Sequence, residues 1–335
     1  MVRRALRGVD VSGTRAYHRV MRRASLLLAP SLVVLVACGG SGTPEDSASP
    51  TPSADAAASS AAAPSPTPTP EETSSSAPAP GGVSFVDVVD DALSAYAALI
   101  DSPAQGSDLS SALPLFDGDI PLPAGNITGA GRLVEQWGDT LDAVQMVGVD
   151  IAPAKEGLEQ YGEAAPSGWT YNSISTTDSS STLVMTRESD GLRVVYMSSK
   201  DPKPGVPPAE FSLESDASEI PQPTWLAALP VPSGGELTAV GEGIGEVEIN
   251  YFPAVGGLVT ATWRYPADQL EALQEFYAGE ALQAAGFTLV DPDSIVVGAS
   301  YFDVTAGDWT GQVIVGELME GDDSFATVQW FLTRA

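Results

Sequence analysis

Carboxylates dominate the chemistry that this chain of 335 residues can perform. Its one histidine, His18, and its one cysteine, Cys38, both lie near the amino terminus, so the long segment after Cys38 carries neither side chain. Serine–histidine–aspartate catalysis, cysteine–histidine catalysis and zinc sites built from cysteine and histidine are therefore excluded there. The remaining candidates are carboxylates, tyrosines, serines and a few lysines, and a glycosidase-like carboxylate pair is the most plausible catalytic arrangement.

Three short acidic clusters are candidates for Ca²⁺ binding: Asp117-Gly118-Asp119, Asp291-Pro292-Asp293 and Gly321-Asp322-Asp323. None has the spacing of an EF-hand loop, with alternating ligands, a central glycine and a closing glutamate. Aspartate and glycine are also the residues that turns prefer. The sequence therefore predicts turns at these places, with no metal ligands, no cofactor and no catalytic residue.

An apolar segment from Ser25 to Ala37 follows Arg22 and Arg23 and ends at Cys38. It is shorter than the roughly 18 apolar residues that a membrane-spanning helix needs, but it suits the hydrophobic region of a signal peptide. Pro30 within the segment also favours a cleaved signal over a permanent span.

The end of this segment, Leu35-Val36-Ala37-Cys38, resembles the lipobox of bacterial lipoproteins. The resemblance implies that residues 1–37 are a signal peptide, cut between Ala37 and Cys38, and that the Cys38 sulfur carries a diacylglycerol with fatty acids such as palmitate. Cys38 is thus the predicted lipid attachment residue, and the predicted location is the outer face of the cell membrane. The alternatives are an ordinary signal peptide or a twin-arginine signal, and Met21 is a candidate for the true start.

The segment after the signal peptide is strongly acidic. Seven of the 15 basic residues and one of the 44 acidic residues precede Cys38, which leaves eight basic residues, 43 acidic residues and a net charge of −35. Such a chain is repelled by phosphates, so nucleic acid is excluded as a partner. An envelope protein, a peptide or a cell-wall component remains possible as a partner.

Residues 38–82 are predicted to be a disordered tether behind the lipid. From Gly39 to Gly82 the chain consists almost entirely of serine, threonine, proline, alanine, glycine and acidic residues. Without large apolar side chains, this stretch cannot bury enough surface to offset the entropy of ordering. At ~3.1 Å per residue it could extend to ~140 Å, with a coil span of ~35–40 Å.

The folded part is predicted to contain a leading helix at 83–112 and two related modules at 113–218 and 224–335. The modules are inferred from an internal repeat, since Ile120–Asn126 recurs as Leu229–Gly235. The leading helix is inferred from an apolar stripe with helical spacing. Its members are Phe85, Val88, Val89, Ala92, Leu93 and Tyr96.

The second module gives the clearer pattern. Alternating apolar residues predict strands at 247–251, 259–265, 295–304, 309–318 and 325–332. Pro266 is placed at the start of a helix whose apolar face runs from Leu270 through Tyr277 to Ala284. The first module is assigned the same order, with a helix from Pro153. The predicted fold class is therefore α+β: two tandem modules, each an antiparallel sheet with one packed helix, in the order strand-strand-helix-strand-strand-strand.

Two further patterns predict structural roles for their residues. The glycine-rich Gly241-Glu242-Gly243-Ile244-Gly245 lacks the spacing of a phosphate loop and is predicted to be a hairpin or flexible loop. Among the tryptophans, Trp169, Trp263 and Trp330 are predicted to lie in the core, whereas Trp137 and Trp309 lie beside turn residues and are predicted to be exposed.

The composition, rich in alanine, glycine and aspartate, resembles that of lipoproteins from high-GC actinobacteria. The function predicted from the sequence is a membrane-anchored envelope lipoprotein with non-catalytic binding modules. One alternative is a carboxylate-dependent hydrolase of envelope glycans, which requires two converging carboxylates. A second alternative is a transporter-associated substrate-binding protein, which the strand-rich pattern disfavours.

Overall fold

The computed structural model describes residues 84–334, apart from gaps at 106, 118–119, 121, 123, 152–161, 164, 178–179, 200–201, 203, 251, 297 and 321–322. These residues belong to one compact unit. Cys38, the predicted signal peptide 1–37, the tether 38–82 and the predicted helix at Pro153 lie outside the described residues. Within the described part, no helix is long and apolar enough to cross a membrane.

Strands make up most of the secondary structure. The helices are α1 (Phe85–Ala97), α2 (Leu270–Ala278) and α3 (Ala281–Ala284), with 3₁₀ turns at Leu109–Ser111, Thr224–Ala228 and Ala267–Gln269. The strands before residue 220 are β1 (Ile127–Trp137), β2 (Thr140–Val149), β3 (Trp169–Thr176), β4 (Ser180–Arg187), β5 (Arg193–Ser199) and β6 (Ala209–Asp216). Those after it are β7 (Glu236–Gly245), β8 (Glu248–Ile249), β9 (Phe252–Pro253), β10 (Leu258–Pro266), β11 (Thr288–Val296), β12 (Ala299–Ala306), β13 (Trp309–Glu320) and β14 (Asp323–Arg334).

Twelve of these strands form one continuous sheet in the order β11-β12-β13-β14-β10-β7-β1-β2-β6-β5-β4-β3. Every pairing in this sheet is antiparallel. The order is mirrored about its centre, where β1 pairs with β7. Moving outward, β2 matches β10, β6 matches β14, β5 matches β13, β4 matches β12, and β3 matches β11 at the two edges. Both halves of the chain therefore follow the same path across the sheet.

The predicted α+β class, with a separate sheet and one packed helix in each of two modules, is wrong. The fold is β-rich, and direct pairing of β1 with β7 joins both halves into one sheet. Alternation along a strand reports which side chains share a face, but it carries no information about which strand lies alongside. The domain boundaries at 113–218 and 224–335 remain a prediction.

The number of strands after the helix also differs from the prediction. Four strands follow α3, because the alternating run from Ile295 to Val304 contains a turn between β11 and β12. Gly298 adopts a positive φ of 82° in that turn. A tight turn interrupts the chain without interrupting the alternation of apolar residues, so the sequence pattern concealed it. In the first half, likewise, four strands (β3 to β6) precede residue 220 after the predicted helix position, where three were predicted.

The predicted helix from Pro266 to Ala284 is broken into pieces. Pro266 ends β10, and α2 begins at Leu270 and ends before Gly279. Leu273 and Tyr277 are buried as predicted. In α3 the buried residue is Leu282, not the alanines on either side of it. The break at Gly279 rotates the second segment relative to the first, which changes the side chain that faces the core.

One face of the sheet, which we call the inner face, holds the main apolar core. The helix α1 buries Phe85, Val89, Leu93 and Tyr96 against it. The 3₁₀ turn at Thr224–Ala228 contacts α1, and α2 contacts β12, β13 and β14. The predicted leading helix is therefore present as α1, shorter than the predicted 83–112.

The opposite face, the outer face, carries a smaller apolar cluster under a short hairpin. This outer hairpin (residues 246–257, described except for 251) contains β8 and β9 and lies over the central strands. Glycines allow the close approach. A Cβ atom at Gly148 would lie 2.0 Å from the Glu246 carbonyl oxygen, and one at Gly131 would lie 2.6 Å from Ile249 Cδ1. Larger residues at these positions would push the hairpin off the sheet.

The tryptophans test the predicted core. Trp169, Trp263 and Trp330 are buried, which confirms the prediction for these three. Trp137 is exposed, also as predicted. The prediction for Trp309 is wrong, because this ring is fully buried. It packs against Phe85 of α1, with the Arg334 guanidinium over its face. Its position beside a turn did not reveal that a distant helix covers it.

Candidate functional site

An open groove of about 440 Å³ lies over β11, β12, β13 and β14. It is lined by Val290, Asp303, Val304, Thr305, Thr310, Gly311, Gln312 and Phe331. Asp303, Gln312 and Phe331 each neighbour, along their strands, one of the buried residues Phe302, Val313 and Trp330. Because successive side chains of a strand point to opposite faces, burial of those three on the inner face directs Asp303, Gln312 and Phe331 to the outer face.

Asp303, Gln312 and Phe331 form a row across three neighbouring strands. Asp303 is the register partner of Gln312, and Gln312 is the register partner of Phe331. Neighbouring strands lie about 4.8 Å apart, so the row presents a carboxylate, an amide and an aromatic ring at regular intervals. The Nε2 atom of Gln312 donates a hydrogen bond of 2.7 Å to Asp303 Oδ1. This bond holds both planar groups in a fixed orientation.

A second aromatic ring packs at the Phe331 end of this row. Phe252, in the outer hairpin, lies against Phe331 with the ring centroids 3.8 Å apart and the planes inclined at 51°. Phe252 is 42% exposed, and Phe331 is half-buried. A second row, Thr305 and Thr310, lies beside the first on β12 and β13. The groove therefore combines an exposed apolar platform with amide, carboxylate and hydroxyl groups.

A buried polar cluster occupies the other side of the sheet. Glu242 on β7 is 2% exposed and accepts three hydrogen bonds. Its Oε1 atom lies 2.8 Å from Arg132 Nη2 and 3.0 Å from the Tyr96 hydroxyl, and its Oε2 atom accepts a 2.7 Å bond from Trp225 Nε1. A buried carboxylate needs such donors, because removing its charge from water costs several kcal/mol.

The four members of this cluster come from four separate elements. Arg132 and Glu242 are register partners on β1 and β7, Tyr96 lies on α1, and Trp225 lies on the 3₁₀ turn. Burial, together with the neighbouring Glu242, raises the pKa of Tyr96 far above its ordinary value. Tyr96 therefore remains a proton donor. With three donors in place, Glu242 serves as an acceptor that ties these elements together.

The predicted loop at Gly241–Gly245 is wrong, since these residues belong to the central strand β7. The glycines face the outer hairpin, where a Cβ atom at Gly241 would lie 2.7 Å from Ile249 Cγ2. Sequence reasoning therefore missed Glu242. The sequence did contain a signal. On β7 the charged Glu242 alternates with the apolar Val240 and Ile244. On β1 the charged Arg132 alternates in the same way with Ala130 and Val134.

The three predicted acidic clusters are not all turns. Asp291–Asp293 lies within β11, and Asp323 is the first residue of β14. Asp117 lies in a loop, and both of its carboxylate oxygens accept hydrogen bonds of 2.8 Å from Arg187. Residues 118–119 and 321–322 lie outside the described residues. Within the described part, no group of three or more acidic, histidine or cysteine residues is arranged to hold a metal ion.

No known protein family, curated protein or solved structure matches this chain.

Every arginine after Cys38 forms an ion pair. The pairs connect Arg132 with Glu242, Arg187 with Asp117 and Asp190, Arg193 with Glu214, Arg264 with Glu320, and Arg334 with Asp90. Hydrogen bonds from Arg187 lower the pKa of Asp190. These arginines are therefore paired with carboxylates inside the fold. Since the formal net charge of the chain is −29, the electrostatic field around the domain is strongly negative.

Proposed function

We propose that this protein is a lipid-anchored envelope protein whose β-sheet domain is a non-catalytic binding module. The observation that carries the binding role is the open outer-face groove, with polar groups and the half-buried Phe331 in its lining and the exposed Phe252 ring packed against Phe331. Polar groups that converge on an apolar concavity are the usual features of a binding site.

The anchoring role depends on Cys38 and on the tether. Two acyl chains on one cysteine give stable attachment to a membrane. A polar, proline-rich tether of ~44 residues would place the domain roughly 35–40 Å from that attachment point on average. The groove would then face other envelope components at a distance from the lipid headgroups.

The positions of the described carboxylates favour binding over glycan hydrolysis. A glycosidase needs two carboxyl groups facing one another across the bond to be cut, about 5–10 Å apart. The described side chains that line the groove contribute one carboxylate, Asp303. Glu242 lies on the inner face with three donors, and Glu214 is paired with Arg193 at 2.6 Å. These carboxylates are engaged in holding the fold.

Anchoring is tested by replacing the cysteine. In a bacterial host that processes lipoproteins, the wild-type chain should incorporate a labelled palmitate analogue and sediment with membranes. Cys38→Ser should incorporate none and appear in the soluble extracytoplasmic fraction. Equal labelling of both chains, or sedimentation of Cys38→Ser with membranes, would contradict the anchor.

Binding is tested on the chain from Cys38 to Ala335 carrying Cys38→Ser, incubated with isolated actinobacterial cell envelopes. Retention should fall when Phe252→Ala and Gln312→Ala are combined. The matched control is Met197→Ala, which removes an exposed apolar side chain from β5 in the other half of the same face. Equal retention of the double variant and the control would overturn the assignment of the groove as the binding site.

A further inference from the structure

We propose that the groove binds a neutral polysaccharide chain, recognised through its hydroxyl groups and the apolar faces of its sugar rings. This inference rests on the proposed binding function and names the class of ligand for the same groove.

The shape of the groove suits a polymer. It spans four adjacent strands, which corresponds to about 14 Å across the sheet. It is open to solvent, whereas pockets for small molecules enclose most of the surface of their ligand. A site that is not enclosed can accept an internal unit of a polymer without a free terminus.

The aromatic pair suits a sugar ring. The face of an aromatic ring is electron-rich, and it attracts groups that carry partial positive charge. One face of a pyranose ring presents such C–H groups. Phe252 is exposed enough to offer part of its ring, and its contact with Phe331 fixes its orientation. The exposed part of the Phe252 ring, held against Phe331, is the surface on which a sugar ring would lie.

The side chains of Gln312 and Asp303, which lie beside the rings, can bind the hydroxyl groups of a sugar. The 2.7 Å bond between Gln312 and Asp303 uses one amide proton and one carboxylate oxygen, Oδ1. Since an amide and a carboxylate together provide more donor and acceptor positions than that bond uses, the pair can both donate to and accept from neighbouring hydroxyls. A bond to a carboxylate is stronger than one between neutral groups. Thr305 and Thr310 add hydroxyl groups on the adjacent row.

Among polysaccharides, the charge of the protein disfavours an anionic one. The groove contains Asp303, the chain has a formal net charge of −29, and every arginine after Cys38 is paired with a carboxylate. An anionic polysaccharide would meet repulsion both at long range and at Asp303. An uncharged sugar chain avoids this cost and still provides hydroxyl groups for the polar row.

The other half of the sheet provides an internal comparison. The strands β4, β5 and β6 match β12, β13 and β14, and the outer-face row that matches Asp303, Gln312 and Phe331 consists of Val184, Val195 and Ser212. Two valines and a serine replace the carboxylate, the amide and the aromatic ring, so the architecture alone does not create the binding row. We expect the polysaccharide to bind only to the half of the sheet that contains β11 to β14.

The test uses the chain from Cys38 to Ala335 with Cys38→Ser, in native gels that contain hydroxyethylcellulose, a neutral galactan, a neutral arabinan or, for comparison, dextran sulfate. At least one neutral polysaccharide should retard the protein, and dextran sulfate should not. Phe252→Ala and Gln312→Ala should each weaken retardation about tenfold in apparent affinity, which corresponds to the loss of about 1.4 kcal/mol. Met197→Ala should migrate like the unsubstituted chain.

The outcomes separate this inference from the function on which it rests. Each variant must have the same thermal midpoint of unfolding as the unsubstituted chain, which shows that it folds. If no neutral polysaccharide retards the chain, or if dextran sulfate retards it more strongly, the ligand class is wrong. If the groove variants nevertheless lose retention on isolated envelopes, the groove is a binding site but its ligand is not a neutral polysaccharide. If the variants lose neither property, both proposals fail.

Discussion

Arg132 and Glu242 face each other directly across the central pair of strands, with Arg132 Nη2 2.8 Å from Glu242 Oε1. The contact joins β1 and β7, where the two halves of the sheet meet. A shift of one residue in this pairing would turn Glu242 to the outer face and leave Tyr96 and Trp225 without their acceptor. The contacts of Glu242 with Tyr96 and Trp225 therefore depend on this register of the junction.

Removing the charge of Glu242 should destabilise the domain strongly. Glu242→Gln keeps the size of the side chain but leaves Arg132 as a largely buried cation without its counter-charge. We expect the free energy of unfolding to fall by about 3 kcal/mol, measured by denaturant titration. The control Glu271→Gln, at an exposed position on α2, should change it by less than about 0.5 kcal/mol. Equal effects of the two substitutions would show that the buried charge pair contributes nothing to stability.

The hydroxyl of Tyr96 should be coupled energetically to Glu242. Tyr96→Phe removes a 3.0 Å bond to Oε1 with little change in volume and should cost about 1–2 kcal/mol. Combined with Glu242→Gln, the loss should be smaller than the sum of the single losses, since both substitutions break the same bond. Tyr171→Phe, at an exposed position, serves as the control. Strict additivity would mean that the two side chains do not interact in solution.

Adding a methyl group at Gly148 should detach the outer hairpin. In Gly148→Ala the new Cβ would lie 2.0 Å from the Glu246 carbonyl oxygen, so either the hairpin or β2 must move. Gly279→Ala is the milder comparison, because there the nearest atom lies at 3.3 Å. We expect the first substitution to lower the thermal midpoint several times more than the second, with faster amide exchange in the hairpin. A similar midpoint for both variants would show that the hairpin does not rest on the glycines.

The stability of the domain should fall in alkaline solution. Burial raises the pKa of Tyr196 to about 12, and it raises the pKa values of Tyr96, Tyr265 and Tyr277 further. Unfolding returns these groups to an ordinary value near 10, so the unfolded chain releases protons more readily than the native one above that pH. The stabilisation is complete below about pH 10 and is lost progressively above it.

The measurement combines two signals. Denaturation at increasing pH should show a falling free energy of unfolding from about pH 10 upward, and tyrosinate absorbance should rise together with the loss of native ellipticity. Complete ionisation of all tyrosines near pH 10 in a protein that keeps its near-ultraviolet spectrum would contradict the burial of these four rings.

Periodicity in the sequence located several elements. The stripe from Phe85 to Tyr96 predicted the helix seen as α1, and the alternation within 259–265 and 325–332 predicted the central parts of β10 and β14. Both patterns arise from local geometry, since the spacing of side chains on one face depends only on the backbone of that segment. The same reasoning could not separate β11 from β12, because the turn at Gly298 preserves the alternation.

Most of the candidate site could not be predicted from the periodicity of the sequence. Asp303, Gln312 and Phe331 lie in different strands, and nothing local to any one of them indicates that they share a row. Glycines surround Glu242, and the local sequence therefore predicts a hairpin or flexible loop there. Those glycines are needed by the outer hairpin, whose position over β7 depends on residues that follow later in the chain.

The sequence by itself determined the chemistry that this protein can use and the faces of many of its strands. After Cys38 there is no histidine or cysteine, the charge is strongly negative, and alternating apolar residues mark which side chains are buried. Only the tertiary structure decided that both halves share one sheet, that Glu242 has three donors and that a groove opens on the outer face. Residue type and spacing act locally, whereas strand pairing and burial depend on hydrogen bonds and contacts between segments distant in the chain.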